Sequence, residues 1–280
     1  MKCTKNLRAG LAALIASLAL GGCGTVHGVF ASELASAGLA QGPDTEALVT
    51  EADLAPLPQT VQRYFRAMGA VDKPKIWSFE VSFKGRFRPG QDKGWMDCEP
   101  WQYNTRIDLA RLFYMKLTMF GMPFVGRDTY VKGEGRMLVK MFDLFPVEDS
   151  KGPEMNIGEL VTYLNDGIFI APSILLTPQT TWKEVDATSF DVSLTDRGTT
   201  VSARVFLNDQ GIPTNFSTTD RFLNKVRTEW TTPMDSMLEV DGRKVFGRGK
   251  AIWKTKGGDY TYAEFGLRQE TLRFNVPPKK

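Results

Sequence analysis

The stretch from Pro153 to Leu176, PEMNIGELVTYLNDGIFIAPSILL, differs in periodicity from the rest of the chain. Its apolar residues recur at the spacing of one helix face. These residues are Ile157, Leu160, Val161, Leu164 and Ile168. Pro172 then restarts the chain as a second short turn, which carries Ile174. Because the sequence on both sides alternates like β-strands, this apolar segment predicts a helix that covers a sheet.

The segments before and after this helix alternate between apolar and polar residues, which is typical of half-buried strands. Asp241-Gly242 is the clearest two-residue hairpin signal, and Gly133-Glu134-Gly135 predicts another hairpin. We count roughly eleven strands and expect them to be antiparallel because the turns are short. A further helix is predicted near residues 57–68, with Pro58 in its first turn and Gly69 just past its end.

Residues 1–22 are typical of a secretory signal peptide that is removed. A basic start with Lys2, Lys5 and Arg8 precedes an apolar core from Ala9 to Leu20, which is too short to span a membrane. Its removal leaves 32 of the 35 basic residues against 32 acidic ones, so the formal charge of +3 disappears. The charge therefore gives no indication of nucleic-acid binding, and no nucleic-acid partner is predicted.

Cys23 is the predicted site of lipid attachment. The preceding Leu20-Gly21-Gly22 resembles the bacterial lipobox, in which small residues precede a cysteine that receives acyl chains such as palmitate and becomes the N-terminus. Attached chains contribute about 0.8 kcal/mol per buried CH₂, so more than one chain anchors a protein stably. Gly24, in place of an Asp, favours the outer membrane. An ordinary signal peptide with a chance cysteine is the alternative.

The mature chain is predicted to consist of a tether and one domain. Residues 23–55, rich in Ala, Gly and Ser, are predicted to be a lipidated N-terminus and flexible tether. Residues 56–280 contain no Gly/Pro/Ser-rich linker and predict a single domain. His27, the only histidine, lies in the tether, so the domain lacks the histidine of Ser-His-Asp, Cys-His and His-based metal sites. Cys98 is the one cysteine left in the domain, which predicts a buried structural thiol.

Several segments resemble those of an uncharacterised bacterial domain family of unknown function. The resemblance spans nearly all of residues 56–276. The segments that carry it are LPQTVQRYFRAMG (57–69), GRDTYVKGEGRMLVKMFDLFPVEDSKGPEMNIGELVTYLND (126–166), ILLTPQTTWKEVD (174–186), TDRF (219–222), WTTPM (230–234) and GRGKAIW (247–253). The family implies no activity, so the resemblance informs the fold more than the function.

The layout also resembles the lipoprotein-carrier fold of the LolA/LolB kind, which implies a half-open barrel of about eleven antiparallel strands closed by helices. We therefore predict an α+β fold. A large curved antiparallel sheet would have its concave face covered by helices near residues 57–68 and 154–176. The same analogy implies that the protein holds acyl chains or another hydrophobic molecule, although a fold alone does not determine function.

Paired carboxylates are the only general acid–base chemistry that the domain supplies readily. Asp97 and Glu99 lie two residues apart on a predicted strand, and Asp128 and Glu134 flank a predicted hairpin. A two-carboxylate glycosidase needs such a pair at the right separation. Acids on strands, however, usually belong to the solvated face, so we expect no enzyme, and we predict no cofactor and no metal site.

Glu159 lies beside the apolar face of the predicted helix. It is expected to pair with Arg127 or Arg136, or to contact the headgroup of a ligand. Aromatic and Met side chains mostly fill cores, but a half-open barrel has more inward apolar surface than it needs, which favours a cavity. The residues predicted to contact a ligand are Trp101, Met115, Met137, Glu159, Tyr163 and Trp182.

The sequence thus predicts a lipid-anchored protein of the bacterial envelope, on the outer membrane and facing the periplasm. Its predicted partners are the membrane, through the N-terminal lipid, and a lipid or other hydrophobic molecule that it binds without catalysis. Two alternatives remain, namely an envelope assembly partner that uses no ligand and a carboxylate-based hydrolase. A carrier needs an apolar void, an assembly partner an exposed apolar patch, and a hydrolase two facing acids in a cleft.

Overall fold

The computed structural model describes residues 25–119 and 121–278. Over these residues the chain forms four α-helices and two 3-10 helices. The α-helices are α1 (Val26–Ser36), α2 (Glu51–Leu54), α3 (Gln59–Ala67) and α4 (Pro153–Ile170). The 3-10 helices are Pro172–Leu175 and Gln269–Thr271. None of the helices in this part of the chain has the length and hydropathy needed to cross a membrane.

Strands fill the segments on both sides of α4. Those before α4 are β1 (Ser78–Phe87), β2 (Met96–Cys98), β3 (Trp101–Thr105), β4 (Ala110–Met119), β5 (Met122–Val131), β6 (Glu134–Met141) and β7 (Phe145–Lys151). Those after α4 are β8 (Thr180–Asp186), β9 (Ser189–Asp196), β10 (Thr199–Leu207), β11 (Pro213–Thr218), β12 (Phe222–Leu223), β13 (Val226–Arg227), β14 (Trp230–Thr231), β15 (Met234–Val240), β16 (Arg243–Thr255), β17 (Gly258–Leu267) and β18 (Arg273–Phe274).

Within the described residues, 16 of these strands form one antiparallel sheet. Hydrogen-bonded neighbours follow the order β7-β6-β5-β4-β3-β1-β17-β16-β14-β11-β10-β9-β8, while β2, β15 and β18 pair beside this path. β12 and β13 form a separate hairpin. The N-terminal and C-terminal parts of the chain meet where β1 pairs with β17. β7 and β8 are the two edges, so the sheet is open and is not closed into a barrel.

α4 packs on one face of this sheet, here called the inner face, and forms the centre of the core. Pro153 suits its first turn, and Pro172 follows its end. From Gly158 onward most residues of α4 are buried, because the helix contacts strands from both halves of the sheet. The periodicity predicted one apolar face, but the burial of Glu159 and Tyr163 shows that other sides of the helix are covered too.

α1 packs on the opposite face of the sheet, here called the outer face. Phe30 of α1 is buried against β3 and β4, with its ring 5.6 Å from that of Tyr114 in an edge-to-face arrangement. The sequence predicted a flexible tether over residues 23–55, whereas the structure contains α1 and α2 there. The composition of this range does not reveal α1, whose buried side chains are the widely spaced Val26, Phe30 and Leu34.

Both predicted hairpins form, but only the one at Asp241-Gly242 turns at the predicted residues, since Glu134 and Gly135 belong to β6. Asp241-Gly242 joins β15 to β16 with φ values of 52° and 70°, as in a two-residue type I′ turn. Lys132-Gly133 joins β5 to β6 in the same way, with φ values of 55° and 85°. Gly135 follows in β6, where a Cβ atom would lie 2.3 Å from the Met155 carbonyl oxygen, so this glycine allows α4 to approach the sheet.

The α+β class, the large antiparallel sheet and the helices α3 and α4 are as predicted from the sequence. The strands are more numerous than predicted, because elements as short as β2, β12 and β18 leave no periodic signal. The strong curvature of the sheet and the division of the chain at residues 22 and 55 stay predictions. Cys23 and the predicted signal peptide lie outside the described residues.

Candidate functional site

A cavity of about 150 Å³ lies between α4 and the inner face of the sheet. α4, β1, β4, β16 and β17 contribute to its wall. Much of the lining is apolar and aromatic. Six phenylalanines take part, namely Phe83, Phe87, Phe113, Phe169, Phe246 and Phe265.

The aromatic wall is organised around Phe83. Its ring centroid lies 6.4 Å from that of Phe113, 6.1 Å from Phe246 and 6.3 Å from Phe265. Phe83 and Phe113 are buried, whereas Phe246 and Phe265 are only half-buried. The cavity therefore has an apolar interior and borders solvent on the side of β16 and β17.

A buried ion cluster borders this apolar wall. Arg111 of β4 donates from Nη1 to Glu159 Oε2 at 2.9 Å and from Nε to Asp166 Oδ2 at 2.8 Å. Asp166 also accepts hydrogen bonds from Gln102 and Asn104 of β3, at 2.7 and 3.2 Å. Glu159 and Asp166 are seven residues apart on α4 and thus share one side of the helix. The cluster fixes α4 to β3 and β4 at one end of the cavity.

The carboxyl groups of this cluster favour their protonated forms more than exposed acids do. Burial, and secondly the neighbouring Asp128 carboxylate, raise the pKa of Glu159 to about 7. Burial also raises the pKa of Asp166 and that of Asp128, against the opposing effect of Arg111. Asp128 of β5 lines the cavity. The cavity is therefore bordered by acids whose protonated forms are favoured by burial.

Arg221 brings a second guanidinium group to the cavity. Its Cζ atom lies 4.5 Å from the ring centroid of Trp230 and 5.5 Å from that of Trp253. A Cβ atom built on Gly158 would lie 3.9 Å from Arg221 Nε, so the side chain also packs against α4. Among the described residues, no carboxylate forms an ion pair with Arg221 and no side-chain hydrogen bond is made by it. Arg221 is thus held by stacking and keeps its donors available.

A larger depression, of about 790 Å³, lies over strands β8 to β11 but has a different character. Its polar groups bind each other: Arg204 Nε donates to Asp191 Oδ1 at 2.8 Å, and the hydroxyls of Ser193 and Ser202 are 2.8 Å apart. These groups are exposed to solvent. We therefore place the candidate site in the smaller cavity under α4, where polar groups are buried or lack hydrogen-bond partners.

Three of the residues predicted to contact a ligand lie on the inner face near this cavity. Met115 of β4 lines it. Met137 of β6 pairs in register with Asp128, which lines it. Glu159 borders it through Arg111. The predicted partner of Glu159 was Arg127 or Arg136, which is wrong because both lie on the outer face, out of phase with Arg111.

The other three predicted contact residues lie elsewhere. Trp101 is on the outer face, with its ring 4.0 Å from that of His27 of α1. Trp182 packs against Phe65 of α3 and Phe190 of β9. Tyr163 of α4 is buried, and its hydroxyl has no hydrogen-bond partner among the described residues. The structure does not bring these three side chains to the cavity, although the ligand contacts of all six stay a prediction.

The acids and the cysteine considered as catalytic candidates in the sequence lie in different environments. Asp97 and Glu99 are exposed on either side of Cys98, so they do not face each other in a cleft. Cys98 is buried, and burial raises the pKa of its thiol to about 12, which keeps it protonated. Glu134 is exposed at the start of β6, away from the buried side of Asp128. Of these acids, Asp128 alone reaches the cavity.

Sequence reasoning missed Arg111 and Arg221, the two basic residues of the site. Arg111 is in phase with Phe113 and Met115 of β4, so the alternation of this strand could have indicated that it faces inward, but no motif marks it as a partner of α4. Arg221 lies in the segment TDRF, which carries part of the family resemblance. Residues of WTTPM and GRGKAIW also line the cavity, among them Trp230, Lys250 and Ala251. The shared family pattern of these segments is a signal that could have indicated the site, but the sequence reasoning did not use it.

Solved structures with a related arrangement include three bacterial proteins. A domain assigned to outer membrane lipoprotein sorting in Vibrio parahaemolyticus is 11% identical, with a TM-score of 0.41 over 77% of this chain and 91% of that chain. A LolA superfamily protein from Nitrosomonas europaea is 14% identical, with a TM-score of 0.36 over 77% and 94%. A DUF1329 family protein from Desulfovibrio piger is 10% identical, with a TM-score of 0.38 over 82% and 95%.

Scores this low carry no inference about function, so the site is interpreted from its own geometry. No protein of curated function matches the chain. A family model does match residues 47–265, which covers most of the sequence and includes the whole cavity. The resemblance noted in the sequence is thereby confirmed: the chain belongs to the family of unknown function DUF6544.

Proposed function

We propose that this protein is a non-enzymatic binding module that holds one hydrophobic molecule between α4 and the inner face of its sheet. The observation that carries the proposal is the aromatic cavity, which the protein leaves unfilled although Phe83, Phe113 and Phe169 around it are buried. Protein interiors are normally packed to high density, so an unfilled apolar space that borders solvent is an unusual feature with a natural use in binding.

The size of the cavity limits the ligand. A dry cavity of about 150 Å³ is large enough for benzene, that is, for an apolar group of about six carbon atoms. A typical small-molecule site is larger, at about 300–1,000 Å³. A longer chain would therefore extend past the half-buried Phe246 and Phe265 towards solvent. The structure thus supports a short or partly enclosed apolar group better than complete burial of a phospholipid.

The ion cluster supports binding over catalysis. Glu159 and Asp166 both accept hydrogen bonds from Arg111, so their oxygens hold α4 on the sheet. An assembly partner with a filled core is supported less well, because the cavity stays open. A carboxylate-based hydrolase is the second candidate, since burial raises the pKa of Asp128 and of Glu159 beside the cavity. Hydrolysis of nitrophenyl esters or glycosides that is lost on Asp128→Asn would favour this second candidate.

Cys23 attachment to the envelope membrane is part of the same proposal. α1 begins at Val26 and packs on the outer face of the sheet, so a lipid on Cys23 would hold that face near the membrane. Mass spectrometry of the N-terminal peptide tests this directly. We expect acyl chains on Cys23 in the wild type, and release of the protein from the membrane fraction after Cys23→Ser.

Native mass spectrometry tests the binding proposal. The Cys23→Ser protein without residues 1–22 would be purified from a bacterial host in the absence of detergent. We expect an adduct that organic extraction releases and identifies. Ala263 is buried at the cavity, so Ala263→Leu should fill the space and remove the adduct, whereas Ala263→Ser should keep it. A clean mass for the wild type, or an adduct that Ala263→Leu retains, would contradict a tightly bound ligand in this cavity.

A further inference from the structure

A group of exposed apolar side chains lies at the turn between β6 and β7. Of the eight large apolar side chains that are exposed in the described part of the chain, four belong to residues 142–147, here called the hairpin tip. They are Phe142, Leu144, Phe145 and Val147, and their exposed fractions lie between 43% and 59%. Single exposed apolar residues are normal, whereas a contiguous group marks an interaction surface. None of the four lines the cavity, so the proposed function does not account for them.

The backbone of the hairpin tip is unfavourable for the residue that it carries. Phe142 and Asp143 have φ values of 53° and 59°, in the left-handed region that Gly, Asn and Asp adopt most readily. A bulky aromatic residue is destabilised there, and Phe142 gains little from packing because its side chain is exposed. Residues held in such conformations are concentrated at functional sites. The folded chain alone therefore gives no reason for a phenylalanine at this position.

The hairpin tip is linked to α1 and thus to the N-terminal end of the described chain. Asp143 of the tip forms an ion pair with Arg127, whose Nε donates to Glu33 of α1 at 2.9 Å. Glu33 follows Val26, the first residue of α1, by seven residues, which is about 10 Å along a helix. Cys23 precedes Val26 by three residues, a span of at most about 11 Å. An acyl chain on Cys23 and the hairpin tip can therefore reach the same membrane surface.

Two lysines lie beside the hairpin tip. Lys140 of β6 pairs in register with Pro146 of the tip, and Lys116 of β4 lies in the same row, because both lysines pair with Val125 of β5. Within the described residues neither lysine forms an ion pair. The acids nearby have other partners, namely Asp143 with Arg127, Asp149 with Arg136, and Glu148 with the Ser150 hydroxyl. Lysine ammonium groups beside an apolar tip are suited to contact lipid phosphates.

We infer that the hairpin tip enters a phospholipid membrane. Leu144 and Phe145 would lie among the acyl chains, while Lys116 and Lys140 bind phosphate groups at the membrane surface. This inference goes beyond the proposed function, because the tip is separate from the cavity and inserts without a lipid on Cys23. A second copy of this chain fits the tip less well than a membrane does, because it would bring like-charged lysines together.

Vesicle binding tests the inference with the Cys23→Ser protein that lacks residues 1–22. Co-sedimentation with vesicles of phosphatidylethanolamine and phosphatidylglycerol measures the affinity. We expect binding that falls at least about tenfold when Leu144→Ser and Phe145→Ser are combined. Val226→Ser is the matched control and should leave the affinity unchanged, since Val226 is exposed on the separate β12–β13 hairpin. Lys116→Gln combined with Lys140→Gln should weaken binding to these vesicles but not to vesicles of phosphatidylcholine.

The substitution Phe142→Asn separates membrane binding from folding. Asparagine adopts a positive φ more readily than phenylalanine, so the variant should have a higher melting temperature than the parent protein. It should also bind the vesicles more weakly, because one inserted ring is gone. A residue with a merely structural role would not produce these opposite changes.

The depth of the hairpin tip provides an independent check. Cys98 is buried, so a cysteine introduced by Leu144→Cys is the accessible thiol of this protein for an environment-sensitive fluorophore. Lipids that carry a nitroxide on the acyl chain should quench the fluorophore at this position. The same fluorophore attached after Val226→Cys should stay in water and keep its emission.

Three outcomes would overturn the inference. The first is no vesicle binding, or binding that survives the combined Leu144→Ser and Phe145→Ser. The second is a fluorophore at residue 144 that acyl-chain nitroxides do not quench. The third is a dimer in the absence of lipid that the same two substitutions dissociate, since the tip would then be a contact between copies. The adduct in native mass spectrometry is unaffected by these results and tests the proposed function on its own.

Discussion

Two buried arginines on neighbouring strands serve opposite faces of the sheet. Arg111 of β4 and Arg127 of β5 are both only 4% exposed. The partners of Arg111, Glu159 and Asp166, are 3% and 12% exposed and belong to one helix. The partners of Arg127, Glu33 and Asp143, are 40% and 26% exposed and come from α1 and from the β6–β7 turn.

The difference teaches what each face is built for. On the inner face the ion pairs are buried beside a cavity, so the charges depend on one another and on any ligand that enters. On the outer face the acids remain hydrated, and Arg127 holds α1 to the sheet together with the apolar contacts of Phe30. The same kind of residue is therefore part of a binding site on one side and a clamp on the other.

Removing the inner arginine should have the largest effect on stability. Arg111→Leu leaves Glu159 and Asp166 without their cation in a buried site, and we expect a loss of about 3–5 kcal/mol in the free energy of unfolding. Chemical denaturation of the wild type and the variant measures it. Replacing all three residues by Leu should recover much of the loss, because the buried charges disappear together. A loss for Arg111→Leu that is no larger than for Arg127→Leu would break the contrast.

Stability should fall as the pH rises through the range in which Glu159 titrates. Its pKa is about 7 in the folded protein and 4.5 ordinarily, so between these values the folded state holds a proton that the unfolded state has released. The free energy of unfolding then decreases by on the order of 3 kcal/mol from pH 4.5 to 7. The raised pKa values of Asp166 and Asp128 act in the same direction.

Thermal unfolding at a series of pH values checks this prediction. Glu159→Gln stays neutral and can still accept a hydrogen bond from Arg111, so it should flatten the profile above pH 4.5. Glu264→Gln, in an exposed ion pair with Arg86, is the matched control and should leave the slope unchanged. A wild-type stability that rises between pH 4.5 and 7 would contradict the sign of the effect.

Removing the outer arginine should have a smaller and more local effect. Arg127→Leu leaves Glu33 and Asp143 able to take up water, so we expect a loss of about 1–2 kcal/mol. The loss should appear as release of α1, detected by faster proteolysis between residues 26 and 36. The ligand adduct seen by native mass spectrometry should stay as in the wild type, because α1 is on the face opposite the cavity. Loss of that adduct would show that the two faces are coupled.

Of the three arginine substitutions, the one in the exposed ion pair between Arg204 and Asp191 should have the smallest effect on the free energy of unfolding. Their side chains are 45% and 36% exposed, and such pairs contribute about 0–1 kcal/mol. Arg204→Leu should therefore change the free energy of unfolding by less than about 1 kcal/mol. A cost as large as that of Arg127→Leu in the same denaturation experiments would show that partner exposure does not govern these effects.

Patterns within single segments were readable from the sequence, and contacts between distant segments were not. The spacing from Ile157 to Ile168 predicted α4, and Asp241-Gly242 predicted a hairpin. Both predictions succeed because helix and turn formation depend on residues that are close in the sequence. The partner of Glu159 depends on which face of the sheet each arginine occupies. In the β4–β5 register Arg127 pairs with Tyr114, which points to the face of the sheet opposite Arg111. No pattern within a single segment shows which residues of the two strands pair.

The site itself was only partly readable for the same reason. Met115 alternates with polar residues along β4, which marked it as facing inward. Arg221 follows no periodic strand, and its role depends on Trp230 and Trp253 from other segments. α1 was missed because its composition resembles that of a linker, while the strands that cover Phe30 lie about 70 or more residues further along the chain.

Crystals of the protein grown with bromobenzene would test the central claim most directly, through the anomalous signal of bromine. The account predicts a single bromine peak among Phe83, Phe113 and Phe265. A bromine peak that lies only at another surface would contradict it. An empty cavity in crystals grown at saturating ligand would show that the space between α4 and the sheet is not a binding site.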